Sequence, residues 1–272
     1  MKTIFDISSE IPSPKPDSLL IEIGEAGMSA MIFVKNPIQL KRIVLVNFSQ
    51  DDNLLKVVQL VLEKVGYSNF TSEQVKVYYN FSQFVLVPFA FNIENVQKDV
   101  LHLIHGAQFE KTVQIDPIEN RQIQHIYSVP QPLISFFEER WKGKKGMHRN
   151  AVLIKNQLGR NELRLVVFNE TITVALQYNE QLKCVQQFAY QAPEEVVYHL
   201  LNICQQFDVL PEEILLSISG MIVKESILFE QLYSYFLNIE FLSLDFENKE
   251  EACFLPLESH FLSHLIELAS CE

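Results

Sequence analysis

Two pairs of histidines have spacings at which side chains on a helix share one face. His260 and His264 are four residues apart, and His102 and His105 are three apart. Such pairs ligate zinc in His-Glu-x-x-His motifs, where the glutamate serves as general base. The residues between His260 and His264 are Phe, Leu and Ser, so the base is missing and no third ligand is indicated. We therefore interpret all four as ordinary surface or helix-end histidines and predict no metal site.

Adjacent carboxylates, which can perform acid–base chemistry, occur at Glu194 and Glu195 and at Glu212 and Glu213. Both pairs stand where a helix or strand is predicted to begin, and the helix dipole stabilises acids in a first turn. The chain has no Gly-x-Ser-x-Gly motif and no Gly-x-x-x-x-Gly-Lys loop, and spacing assembles no cysteine–histidine nucleophile. We predict no catalytic residues.

The composition is that of an ordinary globular protein: 272 residues, 48% of them hydrophobic. A net charge of −12 argues against general nucleic-acid binding, which depends on neutralising phosphates. The cysteines at 184, 204, 253 and 271 form no Cys-x-x-Cys pair, which fits a reducing compartment. No apolar run suits a signal peptide or reaches the ~18 residues of a membrane span. We expect a cytoplasmic protein without membrane insertion.

Residues 142–149 (KGKKGMHR) form the clearest break in the chain, with two glycines and five basic residues. The segment is either a basic contact patch beside Trp141 or a solvated connector between domains. We favour the connector, because runs of charge are most often wet surface. A nucleic-acid-associated role through residues 140–149 ranks last.

A pattern of predicted elements occurs twice along the chain. Residues 163–220 contain three strands, a helix and a buried strand, and residues 19–65 have the same three strands and helix. If two residues are removed at the Pro37 turn, Gln-Leu-Lys at 39–41 falls on Gln-Leu-Lys at 181–183. The chain is therefore predicted to be a duplicated α/β module.

The predicted domain boundaries follow from this duplication. Three prolines within 11–16 indicate an extended leader. Side-chain oxygens of residues 49–52 are expected to cap the first helix. The predicted domains are a leader at 1–18, a first lobe at 19–141, a linker at 142–158 and a second lobe at 159–272.

In the first lobe, strands are predicted at 19–24, 28–34, 40–48, 74–79, 84–89, 112–115 and 122–129, and helices at 54–65, 93–104 and 132–141. In the second, strands are predicted at 163–168, 172–178, 182–190, 212–220 and 239–246, and helices at 191–207, 224–237 and 256–270.

The order β-β-β-α-β-α-β is that of the ribonuclease H-like module. Two such modules in tandem resemble the actin-like ATPase fold of actin, heat-shock chaperones, sugar kinases and bacterial cell-division, pilus-assembly and secretion-platform actin homologues. More closely, residues 84–88 (FVLVP), 188–202 (FAYQAPEEVVYHLLN) and 215–241 (LLSISGMIVKESILFEQLYSYFLNIEF) resemble a bacterial family of unknown function to which this fold has been assigned. The resemblance implies a fold and no established activity.

The same resemblance implies where a nucleotide would bind. Active members hold ATP between the modules, and the first hairpin of each module binds phosphate. The strand of that hairpin carries an Asp, which positions magnesium through water, and the Asp is followed in sequence by Gly and small hydroxylated residues. Here Glu22 stands for the Asp and Gly24 for the first glycine, and a surviving nucleotide cleft would also use Gly27 and Gly220. Glu25, however, stands where Ser or Thr would donate to phosphate, and its carboxylate would repel the anion unless a cation intervened.

The second hairpin departs further from the pattern of active members. Residues 166–171 (VVFNET) contain neither Asp nor Gly, and the Gly-Gly pair expected against adenosine is Gly220-Met221. We therefore predict no ATPase or kinase turnover and no cofactor.

Our leading functional hypothesis is a non-catalytic actin-like protein that works through contacts with an unknown protein partner, as a scaffold or regulatory adaptor. The alternative is an ATP-binding conformational switch, dependent on magnesium, with little or no hydrolysis. An aromatic-rich stripe on the helix predicted at 224–237 is interpreted as core packing, with a groove for a partner helix as the alternative. This stripe consists of Phe229, Leu232, Tyr233, Tyr235 and Phe236.

Overall fold

A computed structural model describes residues 1–9, 17–49, 52–91, 96–106, 110–156 and 159–271. The chain divides into two compact units. The first unit consists of residues 1–155 together with 268–272, and the second consists of residues 156–267.

The first unit is built on a mixed sheet. Its elements are, in chain order, β1 (Lys2–Ser8), β2 (Ser18–Gly24), β3 (Gly27–Val34), β4 (Gln39–Asn47), α1 (Leu54–Lys64), β5 (Val75–Asn80), β6 (Phe84–Pro88), α2 (Val96–His105), β7 (Lys111–Ile118), β8 (Ile123–Pro130), α3 (Gln131–Arg140), β9 (Met147–His148) and α4 (Arg149–Lys155). Six strands form the main sheet in the order β1-β4-β3-β2-β5-β9. The central strand β2 pairs antiparallel with β3 and parallel with β5. Its consecutive residues Leu19, Leu20 and Ile21 are fully buried, so both faces of the sheet are covered here.

Helix α1 has the predicted apolar face but not the predicted cap. The buried side chains of this face are Val57, Val58, Val61 and Leu62. The N-cap is Asn53, whose side chain accepts a hydrogen bond from the Lys56 backbone N–H at 3.0 Å. The prediction that residues 49–52 cap the helix is wrong for the two that are described, because Asp52 Oδ2 accepts from the Ser49 N–H at 3.0 Å instead. Residues 50 and 51 lie outside the described part of the chain.

A second, three-stranded antiparallel sheet in the order β6-β8-β7 interrupts the first unit between β5 and α3. Helix α2 packs on it through Leu101, which joins Val85 and Ile126 in a small hydrophobic cluster. Without this insertion, the order β2-β3-β4-α1-β5-α3-β9 is the predicted β-β-β-α-β-α-β module. Helix α2 begins at Val96 in the structure, and residues 93–95 of the predicted helix lie outside the described residues.

The second unit repeats the module without an insertion. Its elements are β10 (Glu162–Val167), β11 (Thr171–Tyr178), β12 (Gln181–Ala189), α5 (Pro193–Gln206), β13 (Leu215–Gly220), α6 (Ile227–Tyr233), β14 (Asn238–Phe241) and α7 (Ser263–Ser270), whose last residues belong to the first unit. The sheet order β12-β11-β10-β13-β14 matches β4-β3-β2-β5-β9 strand for strand. The predicted α/β class with two tandem modules is confirmed.

The strand pairing confirms the duplication at the level of single residues. In the first unit the register shifts between Ile32 and Phe33, and Phe33 then pairs with Leu40. In the second unit it shifts between Leu176 and Gln177, and Gln177 then pairs with Leu182. Both third strands thus carry one extra residue at the same place, as the alignment of 39–41 with 181–183 predicts.

The predicted leader at 1–18 is wrong for residues 2–8, which form β1. This strand pairs antiparallel with β4, and Arg42 on β4 donates hydrogen bonds to the carboxylate of Asp6 on β1. The sequence predicts no strand there because the three prolines that follow, within 11–16, indicate an extended chain. Residues 10–16, which contain those prolines, lie outside the described residues.

The predicted linker at 142–158 is also wrong over most of its length. Met147 and His148 form β9, which pairs with β5 and supplies the last strand of the first module. Residues 149–154 of α4 are buried, so this stretch is core rather than solvated connector. The end of the chain belongs to the first unit as well, because Tyr78 Oη donates to the Leu268 carbonyl at 3.1 Å. Residues 157 and 158 lie outside the described residues.

The late elements of the second unit are shorter than predicted. Helix α6 covers 227–233 instead of 224–237, strand β14 ends at 241, and helix α7 begins at 263 rather than 256. No helix in the described ranges is long and apolar enough to cross a membrane.

Candidate functional site

Glu22, the residue in the place of the magnesium-positioning Asp, lies buried in the middle of the first unit. Its carboxylate Oε1 is 3.2 Å from Nη1 of Arg149, and both side chains are almost completely inaccessible. Burial raises the pKa of Glu22, and the neighbouring guanidinium opposes that rise. The charge of this carboxylate is therefore balanced by a cation from the same unit.

Arg149 is brought to Glu22 by the end of the module. Strand β9 pairs with β5, which in turn pairs with β2, and α4 begins with Arg149 immediately after β9. The two residues counted as part of a basic surface segment, His148 and Arg149, are both buried. Sequence reasoning missed the ion pair because a two-residue strand carries no periodic signal that would place Arg149 in a core.

The glycines of the β2–β3 hairpin lie close to neighbouring strands. A Cβ at Gly24 would lie 2.6 Å from the carbonyl oxygen of Asn80 on β5, closer than real Cβ contacts allow. A Cβ at Gly27 would lie 3.3 Å from the carbonyl oxygen of Val46 on β4. Strand packing thus requires glycine at position 24 without reference to phosphate, and at position 27 it leaves little room for a side chain.

The tip of this hairpin carries negative charge where phosphate would bind. Both carboxylate oxygens of Glu25 lie within hydrogen-bond distance of the Ser82 hydroxyl, which is 2.7 Å from Oε2. Partial burial lowers the pKa of Lys111, and the nearby Glu25 carboxylate opposes this effect by favouring the charged amine. The amine donates a hydrogen bond to Gln83 at 2.8 Å.

The corresponding hairpin of the second unit has no acid on its strand. From the hairpin pairing, Val166 occupies the position of Glu22 and Phe168 that of Gly24. Gly220 has a left-handed φ of 87°, and a Cβ there would lie 2.1 Å from the Val167 carbonyl oxygen. That carbonyl accepts the Met221 N–H at 2.8 Å, so Gly220 is needed for the contact between β10 and β13.

Within each unit, these residues do not fit a magnesium–nucleotide site. The Glu22 carboxylate is engaged by Arg149, and the hairpin tip presents Glu25 to the position of an anion. The second hairpin has the apolar residues Val166 and Phe168 at the positions of Glu22 and Gly24. Across the described residues, no group of three or more His, Cys, Asp or Glu side chains is arranged to hold a metal ion.

The interpretation of His260 and His264 as surface histidines is wrong, because both are buried, although His264 does lie at the start of helix α7. His260 lies in a short 3₁₀ turn rather than on α7; its Nε2 is 2.6 Å from the Ile222 carbonyl oxygen and its ring packs on Phe241. His264 lies on α7 with its ring edge-on to Phe168. The two rings therefore pack in the core of the second unit.

His102 and His105 line a small pocket of the first unit together with Lys111 and Gln83. Nε2 of His105 is 3.0 Å from the Phe84 carbonyl oxygen. Because Lys111 already donates to Gln83, several polar groups of this pocket are engaged with one another.

The paired carboxylates lie at element starts, as predicted. Glu194 and Glu195 are in the first turn of α5, where Glu195 accepts a hydrogen bond from the Gln191 N–H at 2.7 Å and Glu194 accepts one from Gln231 at 2.6 Å. Glu212 and Glu213 are exposed in the turn before β13.

The sequence did not reveal a buried polar cluster in the first unit. Asp116 on β7 accepts hydrogen bonds from the His148 backbone N–H at 2.6 Å and from the Tyr127 hydroxyl at 3.2 Å, and burial raises the pKa of Asp116 to about 6. Nδ1 of His148 accepts from the Asn150 N–H at 3.2 Å, so Nε2 carries the proton that it donates to the Phe81 carbonyl at 2.9 Å. Burial lowers the pKa of His148 to about 3.

His125 on β8 lies next to this cluster and is fully buried. Its ring stacks on Phe84 with centroids 4.9 Å apart and lies 4.4 Å from the ring of His148. Neither ring nitrogen has a hydrogen-bond partner among the described residues. Burial lowers the pKa of His125 well below its usual value, so the ring is a neutral packing group. The alternation in 122–129, which places residues 125 and 127 on one face, is the sequence signal that could have revealed it.

The predicted aromatic stripe of the second unit is divided between core and surface. Leu232 and Phe236 are completely buried, as the core interpretation requires. Tyr233 and Tyr235 are 63% and 48% exposed, so these two rings face solvent.

The fold resembles those of solved structures. A protein of unknown function with an actin-like ATPase fold from Bacteroides thetaiotaomicron VPI-5482 superposes with a TM-score of 0.76 at 16% identity, covering 95% of this chain and 97% of that chain. A chain from the PilM–PilN type IV pilus biogenesis complex superposes with a TM-score of 0.62 at 12% identity, covering 94% of this chain and 98% of that chain. These likenesses show the fold alone, and they confirm the predicted actin-like ATPase fold.

Among curated proteins, the comparison finds no match. A family described as "Protein of unknown function (DUF3822)" matches residues 8–239, which is most of the chain. This chain therefore belongs to the DUF3822 family.

Proposed function

We propose that this chain is a cytoplasmic actin-like protein without nucleotide turnover, which acts through protein–protein contacts as a scaffold or regulatory adaptor. The observation that supports the proposal best is the ion pair between Glu22 and Arg149. In active members of the fold, the residue in the place of Glu22 positions magnesium. Here the carboxylate is held by a cation of its own unit.

The energetics of the pair argue against recruitment of magnesium by Glu22. Removing one partner of a buried, paired charge costs about 3–5 kcal/mol. A cation that drew Glu22 away from Arg149 would face a penalty of this size, which corresponds to about 10²–10⁴-fold in affinity. In active members, the fixed groups that bind the phosphates also stabilise the transition state by several kcal/mol. The absence of such groups from these hairpins favours a protein without nucleotide turnover.

The exposed aromatic residues of the second unit support a role in protein contacts. Tyr198, Tyr233 and Tyr235 present large rings to solvent, and such residues supply much of the energy of protein interfaces. One structural neighbour comes from a complex between two proteins, PilM and PilN. The fold is thus used for protein contact in at least one neighbour, and we carry that use to this chain as part of the proposal.

Thermal denaturation with and without millimolar Mg-ATP tests the absence of nucleotide binding. We expect no shift in melting temperature, whereas a ligand at 100 times its Kd stabilises by about 2.7 kcal/mol. A reproducible shift would favour the ATP-binding switch instead. ATP hydrolysis by the wild type that is lost in a folded Glu22→Gln variant would contradict the proposal.

The proposed protein contact needs a positive test. Tagged wild-type chain, purified from its native cell, should retain a stoichiometric partner identified by mass spectrometry. A Tyr233→Ser, Tyr235→Ser double variant should lose that partner while keeping its melting temperature. A Leu255→Ser variant, which removes a large apolar side chain that is 62% exposed elsewhere on the surface, is the matched control. Loss of the partner in the control alone would contradict the assigned surface.

A further inference from the structure

Negative charge is concentrated in the second unit. Its residues 156–267 contain five Lys and Arg against seventeen Asp and Glu, a net charge of −12, whereas the first unit contains seventeen of each and is neutral. Within the second unit, residues 190–262, which lie between β12 and α7, contain thirteen of these acids and two lysines. This stretch therefore carries almost all of the net charge of the chain.

The same stretch also exposes large apolar side chains. Among the described residues, fourteen large apolar side chains are exposed, and eight of them lie within 190–262. Three of the eight belong to α5, to α6 or to the turn that ends α6: Tyr198, Ile227 and Tyr235. Exposed apolar surface and negative charge therefore coincide on these two helices.

Helices α5 and α6 lie side by side and run in the same direction. Strands β12, β13 and β14 are mutually parallel, and each helix returns the chain from one of these strands to the next. Gln231 Nε2 on α6 donates a hydrogen bond to Glu194 Oε1 at the start of α5, at 2.6 Å. Tyr198 is one turn after Glu194, and Tyr235 is one turn after Gln231, where the helical hydrogen bonding of α6 still continues. The two exposed tyrosines therefore extend from neighbouring helices at the same level.

An aliphatic side chain and further acids complete this surface. Ile227 is 65% exposed and lies one turn before Gln231 on α6. Glu195 on α5 and Glu230 on α6 are both exposed. Apolar side chains framed by polar groups are typical of an interaction site. The α5–α6 surface consists of Glu194, Glu195, Tyr198, Ile227, Glu230 and Tyr235.

We propose that the α5–α6 surface binds a basic amphipathic helix of a partner protein. The apolar face of that helix packs on Tyr198, Ile227 and Tyr235, and its lysine and arginine side chains lie against the surrounding carboxylates. This inference rests on the proposed function, because it assigns a chemical class and a surface to the protein contact proposed there. Amphipathic helices are commonly recognised through apolar side chains on one face, with complementary charge accelerating association.

Charge and backbone geometry favour this occupant over others. Nucleic acids and anionic lipid surfaces are themselves negative, so a unit with a net charge of −12 repels them. A second copy in a symmetric contact would oppose these carboxylates to themselves. The two helices hydrogen-bond their backbone groups internally and offer a partner side chains rather than a strand edge. The partner must therefore satisfy its own backbone groups, as a helix does.

Titration with designed peptides tests the chemistry of the partner. The probe is a peptide of about 14 residues made of Leu and Lys, with the leucines at helical spacing. One comparison peptide has Glu in place of every Lys, and another has Ser in place of every Leu. We expect calorimetry on the full chain to detect binding of the Leu–Lys probe alone at ~100 µM. Its Kd should rise with salt, because exposed charges are screened. A probe that fails to bind, or a comparison peptide that binds equally well, would overturn the proposal.

Two pairs of variants locate the binding surface. Glu230→Lys should raise the Kd of the probe about threefold to tenfold. Glu180→Lys, in the turn at the opposite end of β12 from α5, changes the net charge equally and should have a smaller effect. Tyr198→Ala should raise Kd about fivefold to thirtyfold, whereas Leu103→Ala, at an exposed residue of α2 in the first unit, should leave it unchanged. Melting temperatures check that each variant is folded. Equal effects within either pair would show that the probe binds elsewhere.

Sedimentation velocity of the chain without peptide tests a second copy as the occupant. Wild type and Glu230→Lys should sediment alike at the same protein concentration. Self-association of the wild type that is reduced in Glu230→Lys would assign the surface to a second copy and contradict the proposal.

The failure of this inference is distinguishable from the failure of the proposed function. If a partner is retained from the native cell but the probe does not bind, the protein contact stands and the assigned partner chemistry is wrong. If the probe binds as expected but Mg-ATP shifts the melting temperature, the surface stands and the absence of nucleotide binding is wrong.

Discussion

Replacing Arg149 with methionine measures how much of the first unit's stability depends on the buried pair with Glu22. Because the change leaves a buried carboxylate without its cation, we expect the free energy of unfolding to fall by about 3–5 kcal/mol. Arg42→Met removes a guanidinium paired with Asp6 that is 30% exposed, and it should cost no more than about 1 kcal/mol. Urea denaturation followed by Trp141 fluorescence gives both values. Equal losses would show that burial of the pair is unimportant.

The Arg149→Met variant should also become less stable as pH rises. Burial raises the pKa of Glu22, and removal of the guanidinium removes the effect that opposes this rise. The folded variant then binds a proton more tightly than the unfolded chain, so this stabilisation is complete below the unfolded pKa of 4.5 and is lost as the pH rises through the folded pKa. The stability gap to wild type should therefore be wider at pH 8 than at pH 5. A Glu22→Gln, Arg149→Met double variant should show no such dependence.

His125→Phe should increase the free energy of unfolding of the first unit, and the increase should be larger at acidic pH. The native ring buries two nitrogens without hydrogen-bond partners among the described residues, so a phenyl ring should gain about 1 kcal/mol at pH 7. Burial lowers the pKa of His125, so the wild type loses stability as pH falls below ~6.5, by about 2 kcal/mol at pH 5. The variant avoids that loss. Asp116, whose raised pKa acts in the opposite direction, is present in both proteins and cancels in the comparison.

Urea denaturation at pH 7 and pH 5 checks this expectation. His102→Phe, on the partly exposed surface of α2, serves as the control and should gain none of the stability expected of His125→Phe. A His125→Phe variant with the pH dependence of wild type would show that the ring is protonated or hydrated in the folded state.

At the level of secondary-structure elements, alanine substitution of Gly220, at the contact between β10 and β13, should cost more stability than alanine substitution of Gly143. Gly220 has φ 87°, and an added Cβ would meet the backbone of Val167, whereas Gly143 has φ 77° with open space around it. Gly143→Ala should therefore cost only the left-handed strain of about 1–2 kcal/mol. Gly220→Ala adds a clash with backbone that cannot move freely, and should cost at least about 2 kcal/mol more. Equal costs in denaturation would mean that β13 can shift away from β10.

The hairpins were predictable because each strand and turn carries its own local signal. Polar turns separate strands of alternating or apolar residues, and the repeated Gln-Leu-Lys fixed the alignment that the pairing of Phe33 with Leu40 and of Gln177 with Leu182 confirms. Helix α5 was likewise indicated by Pro193 in its first turn. These signals involve neighbours in the chain, so a single sequence contains them.

The features that the sequence did not predict depend on contacts between residues that are far apart in the chain. Strand β9 has two residues, too few for a periodic pattern, and Arg149 after it looked like part of a charged surface run. Likewise, nothing near His125 in the chain indicates that His148 and Phe84 enclose it. The resemblance gave the position of Glu22 in the fold, but the cation beside it becomes visible only in the folded structure.

At the scale of the whole molecule, the chain leaves the first unit at residue 155 and returns to it at residue 268. The return is fixed by side chains of β5: Tyr78 donates to the Leu268 carbonyl at 3.1 Å, and Lys76 donates to the Ala269 carbonyl at 3.0 Å. Helix α7 therefore begins in one unit and ends in the other. The boundary predicted at 159–272 is wrong for residues 268–272, because their place in the first unit depends on contacts with β5, which is far away in the chain.

Leu268→Ala tests whether this return contributes to the stability of the first unit. The side chain is 2% exposed, so its truncation should lower the free energy of unfolding by about 2–4 kcal/mol. Leu255→Ala, at a residue 62% exposed, should change it by less than about 0.5 kcal/mol. Trp141 is the only tryptophan of the chain and is buried in the first unit, so its fluorescence reports on that unit. A Leu268→Ala variant whose Trp141 transition matches that of wild type would show that the first unit is complete without the end of the chain.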